Sequence, residues 1–383
     1  MAITLIYLNQ GFLIQPETLS ALRRIPNVRS VCLDIISHPS LEQVSLLIKI
    51  LKEQKCQILF TTNEWGIDTE GVIHEFLEQN KIIHINWFVD DPFYEEIILK
   101  KKYKPSQFRI DFVSDMDYLP IMRAKGYNAF FLPLGTDPSI FYPAESKNQP
   151  QVVFVGNSYI TQMDELLIDT DELILPLTDF LASLIKKYNK DNTTDIEKAI
   201  RAYLSDKKIP GKLSFEKAVF IAKHFIGYLY RKQIVTDLVK KCDYFTVVGD
   251  KGWKQLTDPN RVIKVGYYSG LRELYNGCSI NIDINRMVIK NGFTQRTFDS
   301  LACKCFCITS SKPVVHDFFE TTGEKKELIT FRNADELHEL IDYYLLHETE
   351  RTAIAERGYQ KVLSAHTYDH RVHEIFRAVS SCM

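Results

Sequence analysis

Between residues 291 and 303 the chain reads Asn-Gly-Phe-Thr-Gln-Arg-Thr-Phe-Asp-Ser-Leu-Ala-Cys. Gly292 is expected to open a helix at the end of a polar loop. Unpaired main-chain N–H groups and the helix dipole make such a start a seat for phosphate. Arg296, one turn in, is placed for a charge-assisted contact to a diphosphate. Asp299, one turn further, offers a carboxylate suited to ribose hydroxyls. Eight residues of helix rise ~12 Å, so Asn291 and Asp299 are spaced for the reach of a nucleotide diphosphate. Phe293, Phe298, Leu301 and Ala302 supply the apolar face of the same segment.

A second chemistry is written in Trp87-Phe-Val-Asp90-Asp91-Pro92. Carboxylates at the carboxyl end of a strand are candidates for a general base that takes a proton from a hydroxyl. Asp before Pro is also what a turn or helix cap selects. Asn63-Glu64-Trp65-Gly66 follows another apolar run and makes Glu64 a rival base, with His84 and His38 behind it. Gln10-Gly11, after the first strand, lets a ligand approach the backbone. There is no G-x-S-x-G, no G-x-x-x-x-G-K-[ST] and no three-glycine dinucleotide fingerprint. Asp115-Met-Asp117 and Asp283 are weak metal candidates. Cys303-x-Cys305-x-Cys307 is expected to alternate onto one face of an apolar strand, and no His pair at zinc spacing follows it. It reads as structural thiols, and no metal or cofactor is expected.

Positioning these groups takes two runs of alternating strands and helices. Strands are expected at Ile3–Leu8, Val28–Leu33, Gln57–Thr61, Ile82–Phe88, Phe108–Val113 and Ala129–Leu132. Helices are expected at Gln15–Arg24, Ser40–Glu53, Gly71–Gln79 and Leu119–Lys125, with Ser40 as an N-cap. This rhythm means βαβ units and a mostly parallel sheet, whose ligands sit beyond the carboxyl ends of the strands. The stretch Pro133–Pro150 carries four prolines and lacks helical periodicity, so the domain boundary falls there, with a linker over 141–150. Strands resume at Gln151–Val155, Tyr244–Val248, Arg261–Lys264, Cys278–Ile282, Cys305–Thr309 and Leu328–Phe331. Helices are expected at Leu271–Asn276, Phe293–Cys303, Ala334–His347, Glu348–Ala365 and Tyr368–Val379. Residues 161–241 read as a helical insertion whose Lys186, Lys187, Lys207, Lys208 and Arg231 form a solvated charged face, or else an element that docks the acceptor or a partner. The expected organisation is a first domain over 1–140, a second over 151–365, and a C-terminal helix, 366–383, returning to the first. Two such doubly wound domains would face a cleft that suits an enzyme burying a nucleotide.

Composition narrows the class. The 383 residues are 45% hydrophobic and 25% charged, with Lys+Arg 47 against Asp+Glu 49, a net charge of 47 − 49 = −2. That balance argues against a protein built to coat nucleic acid or an anionic membrane. No apolar run approaches the ~18–20 residues of a membrane span. The N-terminus lacks a basic region and a cleavage site, and the eight Cys read as reduced thiols, so a cytoplasmic location is expected.

Arg296-Thr-Phe-Asp-Ser-Leu-Ala-Cys303, the strand that follows and His316-Asp-Phe-Phe resemble the C-terminal signature of GT-B glycosyltransferases. Ile284-Asn285-Arg286 ahead of the Gly-Phe-x-x-Arg helix is similar to the spore-maturation CgeB-like branch of that bacterial-type superfamily. So are Trp87–Pro92, Leu132-Pro-Leu-Gly-Thr-Asp137, Phe154-Val-Gly-Asn157, Arg357-Gly-Tyr and His366-Thr-Tyr. The resemblance covers most of the chain outside 161–241. It implies an α/β GT-B fold and metal-independent transfer of a sugar from a nucleoside-diphosphate donor, UDP- or GDP-linked, to a hydroxyl of a glycan or protein. The donor would lie on the second domain and the acceptor on the first. The implied donor residues are Gly156, Asn157, Gly249, Tyr267, Asn291, Gly292, Phe293, Thr294, Arg296 and Asp299, with Tyr267 beside the base; Asp90, Asp91 and Glu64 are the catalytic candidates. Many retaining members carry two glutamates eight positions apart, where this chain has Asn291 and Asp299. Lys304 replaces the usual glycine after Ala-Cys. A GT-B epimerase or phosphorylase and a non-catalytic binding protein are the alternatives. Base, sugar, acceptor, anomeric outcome and oligomeric state stay open at this level.

Overall fold

Parallel strands covered on both faces favour apolar runs, and the described residues form twelve strands in two sets. The computed structural model describes residues 2–36, 38–99, 105–146, 150–168, 170–209, 213–287 and 289–382. Residues 147–149 of the expected linker, and 169 and 210–212 of the 161–241 stretch, lie outside the described residues. The chain divides into two compact units. The first holds Met1–Asp137, Lys290–Phe293 and Ala365–Met383; the second holds Pro138–Ile289 and Thr294–Ser364.

In the first unit the strands are β1 (Ile3–Asn9), β2 (Val28–Asp34), β3 (Ile58–Thr62), β4 (Ile83–Phe88), β5 (Arg109–Val113) and β6 (Ala129–Phe131). They pair in the order β2-β1-β3-β4-β5-β6, parallel throughout. Each falls within a residue or two of its expected place. Ile6, Leu8 and Leu59 pack with Val44, Leu47 and Leu51 of helix Leu41–Glu53 and with Ile73, Phe76 and Leu77 of helix Val72–Gln79. Ser40 caps the former as expected. Its hydroxyl accepts from Gln43 N, and the Gln43 side chain accepts from Ser40 N at 2.8 Å, a reciprocal capping box. A short helix, Tyr94–Leu99, was not anticipated. The last helix, Tyr368–Cys382, packs in this unit. Fully buried Arg371 donates through Nε to Leu134 O at 3.1 Å, and Tyr368 N donates to Thr136 O at 3.0 Å. The Leu132–Asp137 motif is thus engaged by the chain's own C-terminal segment.

The second unit contains β7 (Val152–Val155), β8 (Phe245–Val248), β9 (Val262–Ile263), β10 (Ile280–Asp283), β11 (Phe306–Ser310) and β12 (Ile329–Phe331), in the order β12-β11-β10-β7-β8-β9. All pairs are parallel. The described part of 161–241 is helical, ending in a 27-residue helix, Phe215–Lys241. Its Ile226, Tyr230 and Ile234 share one core with Val152, Phe154, Ile280 and Ile282. Of the five basic residues expected on a solvated face, Lys186, Lys187, Lys207 and Lys208 are exposed, but Arg231 is 2% exposed. It lies on the apolar stripe of its helix, three and four residues from Ile234 and Val235. The short helix Pro313–Phe318 was not anticipated either. Cys303 caps helix Gln295–Ala302 instead of joining a strand, so the three closely spaced cysteines do not share one strand face. The cysteines whose side chains are described are free thiols, with Cys278 Sγ 3.3 Å from Cys305 Sγ. No described helix is long and apolar enough to cross a membrane.

Candidate active site

Strand β10 ends on Asp283, a fully buried carboxylate at the carboxyl edge of the second sheet. Thr294 Oγ1 and Thr297 Oγ1 both donate to its Oδ2 at 2.6 Å, and Arg296 pairs with Oδ1 at 3.2 Å. This knot explains a shift from expectation. Thr294 is held extended at φ −89°, ψ 153°, so the helix runs over Gln295–Ala302 and begins after, not at, Gly292. Arg296 keeps 23% of its side chain exposed. Burial opposes its charge, but Asp283 outweighs that and holds the guanidinium more firmly protonated than usual.

One turn on, Asp299 is fully buried and accepts from the hydroxyl of Tyr267, the first residue of helix Tyr267–Gly277. The Tyr267 ring meets Phe141 edge-on at 5.4 Å. The structure therefore brings Thr294, Arg296, Asp299 and Tyr267 together around β10 and its following helix.

The turn after β7, Gly156-Asn157-Ser158, sits against the turn after β8. Ser158 N donates to the Asp250 carboxylate at 3.2 Å, and Trp253 Nε1 donates to Gly156 O at 2.8 Å. A Cβ on Gly249 would run into that same carbonyl, so glycine there permits the close approach of the two turns. Asn157 is exposed, and its carbonyl accepts from Arg231 Nη1 at 3.4 Å. Arg231 Nη2 donates to Ile284 O at 2.7 Å, across 53 residues of sequence. Sequence reasoning placed this residue on a solvated face and not beside the 156–158 turn. The available signal was an arginine set into an apolar helical stripe.

The remaining expected residues lie in the first unit. Asn291, Gly292 and Phe293 belong there, bound to the segment after β5. Lys290 N and Asn291 N donate to the Asp115 carboxylate at 2.6 and 3.1 Å, and Met116 N donates to Asn291 O at 3.0 Å. Asp115, weighed from sequence as a weak metal ligand, is thus a main-chain acceptor. At the ends of β3 and β4, Asn63 ties two loops: its Oδ1 accepts from Val89 N at 2.8 Å, and its Nδ2 donates to Asp90 Oδ2 at 3.0 Å. Asp90 is exposed. Asp91 accepts from Phe93 N at 3.0 Å, the turn use that Asp before Pro invites.

Glu64 is fully buried. Arg109 pairs with it, and donates to both Asp111 oxygens, with Nε to Oδ2 at 2.8 Å. The two carboxylates raise the Arg109 guanidinium above its ordinary range despite burial. His74 Nε2 lies 3.5 Å from Glu64, and Asn86 Oδ1 accepts from Glu64 N at 2.8 Å. His84 is buried against Thr61 at 2.8 Å. Of the carboxylates named from sequence in this unit, Asp90 is the one both exposed and held in place by a neighbouring side chain.

Comparison with known proteins agrees with this architecture. Residues 231–377 match the Glycosyl transferase-like family. A glycosyltransferase from Rickettsia africae ESF-5 superposes over 100% of this chain and 98% of its own, at 11% identity and a TM-score of 0.59. A sucrose-phosphate synthase from Thermosynechococcus elongatus covers 100% of both chains at 10% identity and a TM-score of 0.55. Anabaena HepE in complex with UDP-glucose covers 99% of this chain and 100% of its own, at 9% identity and a TM-score of 0.55. No curated protein matches the chain. Two six-stranded parallel sheets of this order and these likenesses make the fold that of the GT-B glycosyltransferases, with the stretch from 231 to 377 carrying the match to the Glycosyl transferase-like family.

Proposed function

We propose that the chain is a glycosyltransferase that moves a sugar from a nucleoside-diphosphate donor to a hydroxyl acceptor. The observation that carries this reading is the Asp283-centred knot, which fixes a part-exposed Arg296 at the start of a helix and places Asp299 with Tyr267 one turn along. Anchored cations and helix N–H groups stabilise the charge that develops on a departing diphosphate. Asp299 and Tyr267 suit the ribose and base. In the first unit, Asp90 takes the acceptor's proton as its oxygen attacks the anomeric carbon and the bond to the diphosphate breaks. The chemistry needs no metal in this reading. The acceptor is a glycan or protein hydroxyl, the likeness to the CgeB-like branch is retained, and the cytoplasm is the place where such donors are used.

UDP-glucose leads the donor panel, because Anabaena HepE is a structural neighbour in complex with it. Titration calorimetry with UDP-, GDP-, ADP- and CMP-sugars tests the reading, and silence from all of them overturns it. Within that experiment, Arg296→Ala should weaken nucleoside-diphosphate binding by ~10- to 150-fold, the ~1.5–3 kcal/mol of a charge-assisted contact. Nucleoside binding should not change. Equal losses for both ligands would assign Arg296 to holding Asp283 alone.

A further inference from the structure

Two loops at the carboxyl edge of the first sheet bring aromatic side chains to the surface. Phe12, three residues past the end of β1, is 52% exposed, and Trp65, three residues past the end of β3, is part-exposed. Their ring centroids lie 4.5 Å apart with planes inclined by 30°. Two adjoining rings left out of the core make an apolar face that a ligand can cover. Both loops are held from beneath. Gln15, fully buried, donates to Leu8 O at 3.3 Å, while its Oε1 accepts from Gln10 N at 2.8 Å and Phe12 N at 3.1 Å. Asn63 N donates to Trp87 O and Trp65 N to Thr62 O, each at 3.0 Å. Left-handed backbone recurs in both loops, at Gly11, Ile14, Asn63, Glu64 and Gly66. For β-branched Ile14, φ 75°, this costs energy, and such strain collects at binding and catalytic sites.

Beside the rings, the Gln10 side chain carries an unmet demand. Its Nε2 and Oε1 are buried, and neither has a hydrogen-bond partner among the described residues. A buried amide left unpaired is costly. An amide offers a donor and an acceptor side by side, the complement of two neighbouring hydroxyls. The residue as a whole is part-exposed and its side chain is unbranched, so a turn about that chain brings the amide to the surface next to exposed Gly11.

We propose that this edge binds a pyranose ring of the acceptor, which makes the acceptor of the first unit an oligosaccharide and not a protein side chain. The C–H face of the sugar lies on the Phe12 and Trp65 rings, whose negative π-faces attract polarised C–H groups. Two vicinal hydroxyls of the same ring pair with the Gln10 amide. A serine or threonine side chain has neither a flat C–H face nor vicinal hydroxyls, and a lipid surface would leave the amide unpaired. Asn63, two residues before Trp65, donates to Asp90 Oδ2 at 3.0 Å, which ties the platform to the carboxylate assigned as base. That part in transfer rests on the proposed function, whereas the carbohydrate site itself does not.

Trp65 makes the site observable, because the other two of the chain's three tryptophans, Trp87 and Trp253, are fully buried. Maltose, cellobiose, lactose and N,N′-diacetylchitobiose are titrated into the full chain while tryptophan emission and its quenching by acrylamide are followed. At least one of these sugars should shift the emission and shield it from acrylamide. Phe12→Ala, a change at an exposed side chain, should weaken that binding ~2- to 12-fold, and Phe12→Tyr, which keeps a ring, should restore most of it. Gln10→Leu should weaken it by a similar ~2- to 12-fold through the lost hydrogen bond. Silence from all four sugars, or unchanged affinity in both Phe12→Ala and Gln10→Leu, overturns the proposal. A response to a serine-rich peptide or to phospholipid vesicles in place of the sugars overturns it as well. Nucleotide-sugar binding without disaccharide binding removes the platform and leaves the glycosyltransferase reading. Disaccharide binding without response to any nucleotide sugar does the reverse.

Discussion

Asp90→Asn should lower turnover by ~10²- to 10⁴-fold, the range for loss of a general base, while donor affinity stays within about twofold. The change is isosteric and keeps an oxygen for the Asn63 Nδ2 contact at 3.0 Å, so the loops after β3 and β4 should hold their form. Two companion variants make the result specific. Asp91→Asn keeps an acceptor for Phe93 N and should leave turnover near normal. Glu64→Gln should act on stability, because Glu64 is fully buried and paired with Arg109. Steady-state rates under saturating donor, with donor affinity measured separately, check all three. Normal turnover in Asp90→Asn would remove the base assignment, and a fall in donor affinity with Asp90→Asn but not Asp299→Asn would move the donor to the first unit.

Arg109→Met should destabilise the protein by ~3–5 kcal/mol, the usual cost of removing one partner from a buried ion pair. The variant takes from Glu64 and Asp111, both fully buried, the guanidinium that pairs with each of them. Thermal or urea unfolding measures the loss, and its pH dependence identifies the cause. Without Arg109 the buried carboxylates bind protons more tightly in the folded than in the unfolded chain. The variant's stability should then rise as pH falls toward the carboxylate range, closing the gap to the unaltered protein. A gap that stays constant with pH would point to lost packing against the Tyr127 ring, 5.2 Å from the guanidinium.

Much of the scaffold was legible along the chain. Runs such as Ile58–Thr62 and Phe306–Ser310 are buried along their whole length, and parallel strands covered on both faces leave that continuous apolar mark. Ser40 announced its helix three residues ahead of Gln43, because a capping box is a local device. Asp91 before Pro92 announced its turn. The strand-end carboxylates and the Arg296 helix could be placed at a sheet edge from the βαβ rhythm alone.

The pairing of charges could not. Arg109 and Asp111 alternate on one face of β5, a pattern that reads equally as an exposed face until Glu64 and Asn86 are found against them. Glu64 looked like a rival base for the same reason. Arg231 read as one more basic residue among lysines, whereas tertiary packing buries it against the Ile284 carbonyl and beside Arg286 and Arg296. Even the start of the 295–302 helix was set from a distance, by Asp283 holding the Thr294 hydroxyl. By itself the sequence determined the strands, their caps and which segments would reach a sheet edge, because apolar period and capping depend on near neighbours. Only the tertiary structure decided which charges are spent on one another and which stay poised for a ligand, since burial and charge balance are set by side chains brought together from segments far apart in the chain.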